Sequence, residues 1–250
     1  MALAHKSIQV APATTFIAHT AHFCAQALLI VTFLLPIKIL ILLGSDSIPD
    51  DLPQVFKALS KTWLITALIV LTVLSYALYL SSELVASRYS RTGAYQLMNH
   101  SSQSPASNNQ RPLAVLAFCR FTRGLSAASF VTLMALVMLS IYPALFTITL
   151  LYIVAVTALL IVLFNRKDRI RSIVRRHHTK LLNAMSALGF LGTFAFMVVD
   201  FLYMTPVPIY IALLSLILVR QSLTRLKSMI EDAIYLKNHQ QKIHALFFTH

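Results

Sequence analysis

Six apolar stretches, at residues 23–43, 63–81, 125–145, 146–164, 185–203 and 207–219, constrain this chain more than any motif does. Most approach the roughly 20 residues that a helix needs to cross hydrocarbon. A backbone N–H or C=O in lipid finds no water, so each stretch must satisfy its own polar groups, and for a single segment that means an α-helix. The expectation is an all-α integral membrane protein with six transmembrane helices forming one domain over residues 1–250. Composition agrees: 58% of residues are hydrophobic, 12% are charged and mean hydropathy is +0.74, whereas about a quarter of residues are charged in soluble domains. The net charge of +13 does not point to nucleic acid, which would require a basic face on a soluble domain with base-reading or stacking partners.

The charges lie between the stretches, and their distribution gives an orientation. The first connection carries Asp46, Asp50 and Asp51 against Lys57 and Lys61, and the third and fifth connections have no Lys or Arg. The second connection holds Arg88, Arg91, Arg111, Arg120 and Arg123; the fourth holds Arg166, Lys167, Arg169, Arg171, Arg175, Arg176 and Lys180. Beyond the sixth stretch come Arg220, Arg225, Lys227, Lys237 and Lys242. The positive-inside rule then predicts both termini in the cytoplasm. Lys6 is the one basic residue before the first stretch and no small-residue cleavage site follows it, which predicts that this span is retained. Cys24 and Cys119 fall on the reducing side and are expected to be unpaired.

The connections differ in kind. Ile141-Tyr142-Pro143-Ala144 and Thr205-Pro206-Val207-Pro208 predict tight outer turns, because proline cannot continue a helix. On the inner side, residues 82–98 read as a helix running past the membrane, residues 99–109 as a polar turn, and Arg111 onward as apolar-periodic again. Residues 207–247 keep apolar side chains at Leu223, Leu226, Ile230, Ile234 and Leu236. They predict one helix of about 40 residues and some 60 Å, with an extension at residues 220–247 standing in water.

Long inward helices joined by short outer turns resemble the transmembrane domain of six-helix (type IV fold) ABC exporters over most of the chain. Leu34-Leu35-Pro36-Ile37-Lys38-Ile39-Leu40 followed by Gly44-Ser45-Asp46-Ser47-Ile48-Pro49 looks like the end of that domain's first helix and its outer loop. Ser140-Ile141-Tyr142-Pro143-Ala144-Leu145 is similar to the turn between its third and fourth helices. The run from Leu216 to Phe247 looks like its sixth helix and the linker to an ATPase. The resemblance implies a permease subunit that pairs with an identical or a second membrane subunit in a bacterial inner membrane. ATP would act through a separately encoded nucleotide-binding subunit. No cofactor and no enzyme activity are expected of this chain, since the glycines at 44, 93, 124, 189 and 192 cannot form a G-x-x-x-x-G-K-[ST] loop. The inner connections are shorter than the family's, notably between residues 164 and 185. Two rival readings stand beside transport by ATP: a non-transporting assembly or regulatory subunit, for which the shortened connections speak, and a transporter of the same fold driven by an ion gradient, with intramembrane Lys38 and Asp200 as its carriers.

Two intramembrane charges are candidates for function, Lys38 and Asp200, each near the outer end of its helix. They predict either a buried pair or, for Lys38, an ammonium snorkelling to the interface. Arg91, Arg111, Arg169, Arg175, Arg176 and Lys180 are the candidate contacts for a cytoplasmic partner. Ser186, Ala187, Gly189 and Gly192 predict a close helix approach, and Tyr76, Tyr79, Tyr142, Tyr203 and Tyr210 an interfacial aromatic belt. His19 and His22 share a helix face without acidic companions, so a metal site is not expected; His177-His178 reads as a solvated basic segment beside lipid phosphates. Asp50-Asp51 and Glu231-Asp232 lack the buried surroundings that acid–base catalysis needs.

Overall fold

The structure is a computed structural model and describes residues 7, 9–44, 60–101, 111–165, 168–203 and 208–243; for residues 100, 101, 160, 163–165, 168–178 and 209 the description covers the backbone. The expected outer loop with its three aspartates, the polar turn at residues 102–109, Thr205-Pro206 and residues 244–247 lie outside the described residues.

Six long helices follow one another: α1 Pro12–Gly44, α2 Lys61–Ser101, α3 Arg111–Ile141, α4 Pro143–Asn165, α5 Asp168–Tyr203 and α6 Ile209–Asn238. Four are long and apolar enough to cross a membrane, over Pro12–Gly44, Lys61–Asn99, Arg111–Ile141 and Thr179–Tyr203. The two other expected spans fall short of that mark among the described residues. α4 offers a shorter apolar stretch, Pro143–Leu159, and the apolar part of α6 meets Arg220 and Arg225 after little more than three turns.

Each boundary has a local cause. α2 contains no proline and a single glycine, so its 41 residues run unbroken for about 62 Å, as the reading past residue 81 predicts. Between α3 and α4 stands one residue, Tyr142, whose N–H donates to Met138 O at 2.8 Å while its carbonyl accepts from Phe146 N at 3.1 Å. Pro143 disfavours the α conformation at Tyr142 and is itself well placed at the first position of a helix. α6 starts where Pro208 O accepts from Ile211 N and Ala212 N at 2.9 and 3.1 Å, and it ends at Asn238, with a turn at His239 before residues 240–243 resume helix. The expected single helix is thus interrupted before residue 247. The basic connection after α4 is also helical from Asp168, so it belongs to α5. Hydroxyls within the apolar segments return to their own helix: Thr32, Thr72, Thr149 and Thr157 each donate to the carbonyl four residues back at 2.7–2.8 Å.

The chain divides into two compact units, Met1–Ser126 with His239–His250, and Ala127–Asn238. In the first unit α1 packs extensively along α2, antiparallel to it, with Thr14 Oγ1 donating to Gln96 Oε1 at 3.0 Å. The core of this unit lies toward the far end of α2, where Ala86, Ala94, Leu97, Ala114, Ala117 and Phe118 are all fully buried. The nearer part of α2 is the opposite: Trp63, Ile69, Val70, Val73 and Leu74 are exposed, as a lipid-facing helix requires. In the second unit α5 packs on both α4 and α6, around Leu182 and Met185 with Val156, Ile230 and Ile234 against them.

Candidate functional site

Asp200 sits one turn before the end of α5 and is 7% exposed; Tyr142, in the break between α3 and α4, is 6% exposed. The two meet, the Tyr142 hydroxyl donating to Asp200 Oδ2. A buried carboxylate inside an apolar helix needs such a donor. The proline that breaks the chain at residue 143 is what leaves the tyrosine at the end of one helix and the start of the next. Sequence reasoning assigned Tyr142 to the aromatic belt and Asp200 to Lys38. Lys38 lies in the other unit, with its side chain exposed, an environment suited to snorkelling.

In the same unit, α4, α5 and α6 line a groove that is open to the surface and has a volume of about 30 Å³. Its wall is almost wholly apolar, built from Val156, Met185, Leu223 and Leu226 among others, with Lys227 contributing the charge. Tyr152 frames it, donating its hydroxyl to Met185 O. Its ring lies directly over Gly189, where a β-carbon would fall 2.9 Å from Cζ and 3.0 Å from Cδ1. The small residues expected to admit a close helix therefore do so at Gly189, and the helix admitted is α4. At Gly192 a β-carbon would meet nothing within 4 Å. On α6, Lys227 Nζ stands 3.8 Å from Glu231 Oε1, an i,i+4 ion pair.

The first unit carries a polar seam through its core. Gln26 Nε2 donates to Ser126 Oγ and Ser90 Oγ meets Thr122 Oγ1, both at 3.3 Å, and Thr14 reaches Gln96. Gln26, Ser126, Ser90 and Thr122 are all buried, as is His22 one turn before Gln26. Gln26 Oε1 is buried without a hydrogen-bond partner. Between these bonds the helices come close: a β-carbon on Gly93 would lie 2.6 Å from Phe118 Cζ and 3.1 Å from Thr14 Oγ1. The sequence held a signal for part of this seam, since Thr15, His19, His22 and Gln26 recur at helical spacing on one face of α1.

Of the basic residues expected to meet a cytoplasmic partner, Arg91, Arg111 and Lys180 are exposed. Arg169, Arg175 and Arg176 belong to the first turns of α5 by their backbone; their side chains lie outside the described residues. Among the described residues no three His, Cys, Asp or Glu side chains come together as a metal site would require. Neither Cys24 nor Cys119 is in a disulfide. The chain matches no protein family, no curated protein and no solved structure.

Proposed function

We propose that this chain is the membrane-spanning subunit of a transporter, with six helices crossing the bilayer, both termini inside and an arrangement like that of six-helix ABC exporters. It forms half of a translocation pathway with a second membrane subunit and is energised by a separately encoded ATPase. One observation carries the reading: α2 continues unbroken for about twice the ~30 Å hydrocarbon thickness, and its far end is the best-packed part of the first unit. A helix so long, held by α1 and α3 around Phe118, is a lever able to carry motion from a partner below the membrane to the spans above it. The exposed Arg91 and Arg111 would offer that partner its contacts. Purification of the tagged chain from its native membrane in mild detergent should recover a nucleotide-binding subunit in stoichiometric amount. Intact membrane dimers without any ATPase would overturn the proposal.

A second reading is favoured by one residue. Asp200 is buried in a membrane-capable helix, and intramembrane carboxyls mark ion paths by default. Ion-gradient coupling would place proton binding at Asp200, with Tyr142 as its hydrogen-bond partner. Proton-dependent uptake into vesicles that Asp200→Asn abolishes would select it over the ATP-driven reading.

A further inference from the structure

The groove between α4, α5 and α6 combines an apolar wall with one ammonium group, that of Lys227. The geometry points to a seat for an anionic phospholipid of the inner leaflet, with an acyl chain along Val156, Met185, Leu223 and Leu226 and the phosphate on Lys227 Nζ. The inference rests on the inward placement of the second half of α6 proposed above.

Depth is the first reason. The apolar part of α6 ends at Val219, and Lys227 follows two turns later, whereas Val156 and Met185 lie within apolar stretches of α4 and α5. A chain entering from hydrocarbon meets an apolar wall, and its headgroup reaches the lysine. Charge is the second. Lys227 keeps 26% of its side chain exposed, and at 3.8 Å the acid paired with it among the described residues, Glu231, is too far for a hydrogen bond. All three ammonium donors can therefore turn to a phosphate. Along these helices α4 carries no acidic residue, and α5 and α6 carry Asp168, Asp200, Glu231 and Asp232 against nine Lys and Arg, of which Lys180 and Arg220 are exposed. The cations exceed the acids, and an anionic headgroup supplies the missing charge. A zwitterionic one would bring its own cation toward Lys227.

The test uses the full chain exchanged into micelles containing equimolar phosphatidylglycerol and phosphatidylcholine, with retained lipid measured by mass spectrometry after purification. Wild type should keep phosphatidylglycerol in preference. Lys227→Gln should lower that preference by about fivefold, the weight of one cation near an anionic headgroup, while Lys237→Gln, an exposed lysine farther along α6, should leave it unchanged. Val156→Trp, which fills the groove, should reduce retention of both lipids. An unchanged preference in Lys227→Gln overturns the site, equal effects of the two lysines reduce it to general surface charge, and displacement by inorganic phosphate makes it a site for the free anion. A separate arm labels Lys237→Cys, in a Cys24→Ala/Cys119→Ala background, with an impermeant maleimide on sealed vesicles. Labelling from the outer face would sink the inward placement and the inner leaflet with it, while the micelle arm would still report on the groove itself.

Discussion

Replacing Tyr142 by phenylalanine deletes one hydroxyl and leaves its ring, so it isolates the bond to Asp200. Asp200 is 7% exposed, and water cannot readily replace the lost donor. In a soluble core, stripping a buried polar group of its partner costs about 1–3 kcal/mol. Hydrogen bonds between membrane helices average only about 0.6 kcal/mol, with a maximum near 1.7, because helices separated within lipid also find partners. A bond to a carboxyl group belongs near the upper end, so Tyr142→Phe should cost about 1–1.5 kcal/mol. Asp200→Asn keeps an acceptor for the hydroxyl and should cost less. Asp200→Ala leaves the hydroxyl unpaired and opens a small void, and should cost as much or more.

The decisive quantity is the coupling between the two positions. Reversible unfolding in mixed micelles, followed by circular dichroism for wild type, Tyr142→Phe, Asp200→Ala and the double variant, gives a double-mutant cycle. If the bond stands as described, the double variant is less destabilised than the sum of the singles by about 1 kcal/mol. Independent sites add to within about 0.5 kcal/mol. Additivity within that margin would refute the Tyr142–Asp200 pairing and reopen the question of what satisfies the carboxyl group.

Three further outcomes follow from the packing. Gly93→Ala puts a methyl group 2.6 Å from the fully buried Phe118 ring, so overpacking of about 1–3 kcal/mol should exceed the gain of up to about 1 kcal/mol in helix propensity; thermal unfolding should show a net loss that Phe118→Leu relieves, whereas Gly192→Ala, with nothing nearby, should be neutral or stabilising. Gly189→Ala should drive the Tyr152 ring from its seat and weaken the bond to Met185 O, read as lower stability of the second unit that Tyr152→Leu partly restores. Gln26→Met removes a buried carbonyl oxygen that has no partner and should be neutral or stabilising, whereas Ser126→Ala leaves the amide of Gln26 unpaired as well and should cost about 0.5–1 kcal/mol; equal effects in the same unfolding assay would contradict the seam.

Helix identity was legible because period and breakers are local. The unbroken α2, the stop at Tyr142-Pro143 and the start of α6 after Pro208 all follow from where proline stands and where it does not. The start of α5 was not legible. Its first turns, with Arg169, Arg171, Arg175 and Arg176, carry the polarity of a loop, and an amphipathic helix entering water is hard to tell from a solvated connection by hydropathy alone. The pairing of side chains was legible least. Asp200 could be read as needing a partner, but Tyr142, Lys38 and any other donor at a similar depth met that need equally well, and only the packing of α4 on α5 distinguishes them. The polar face of α1 was visible as spacing, yet Ser90, Thr122 and Ser126 look like any hydroxyl of an apolar helix until the helices are brought together.

That blindness has a physical source. In water, burial of apolar surface draws helices together and a hydrophobic stripe announces the contact face. In lipid, an exposed leucine is as well solvated as a buried one, so hydropathy marks that a segment inserts without marking which face meets another helix. Partner choice then falls to groups that lipid cannot satisfy and to places where backbones approach closely. In the first unit those are Gly93 under Phe118, Thr14 with Gln96, Ser90 with Thr122 and Gln26 with Ser126. In the second they are Gly189 under Tyr152, Tyr152 with Met185 and Tyr142 with Asp200. Each set lies within its own unit, so each unit holds its helices in register by its own contacts. Substitutions at these few polar and glycine positions should therefore change helix register and stability, while an apolar-to-apolar exchange on the exposed face of α2 at Ile69, Val70 or Val73 should leave both as they are.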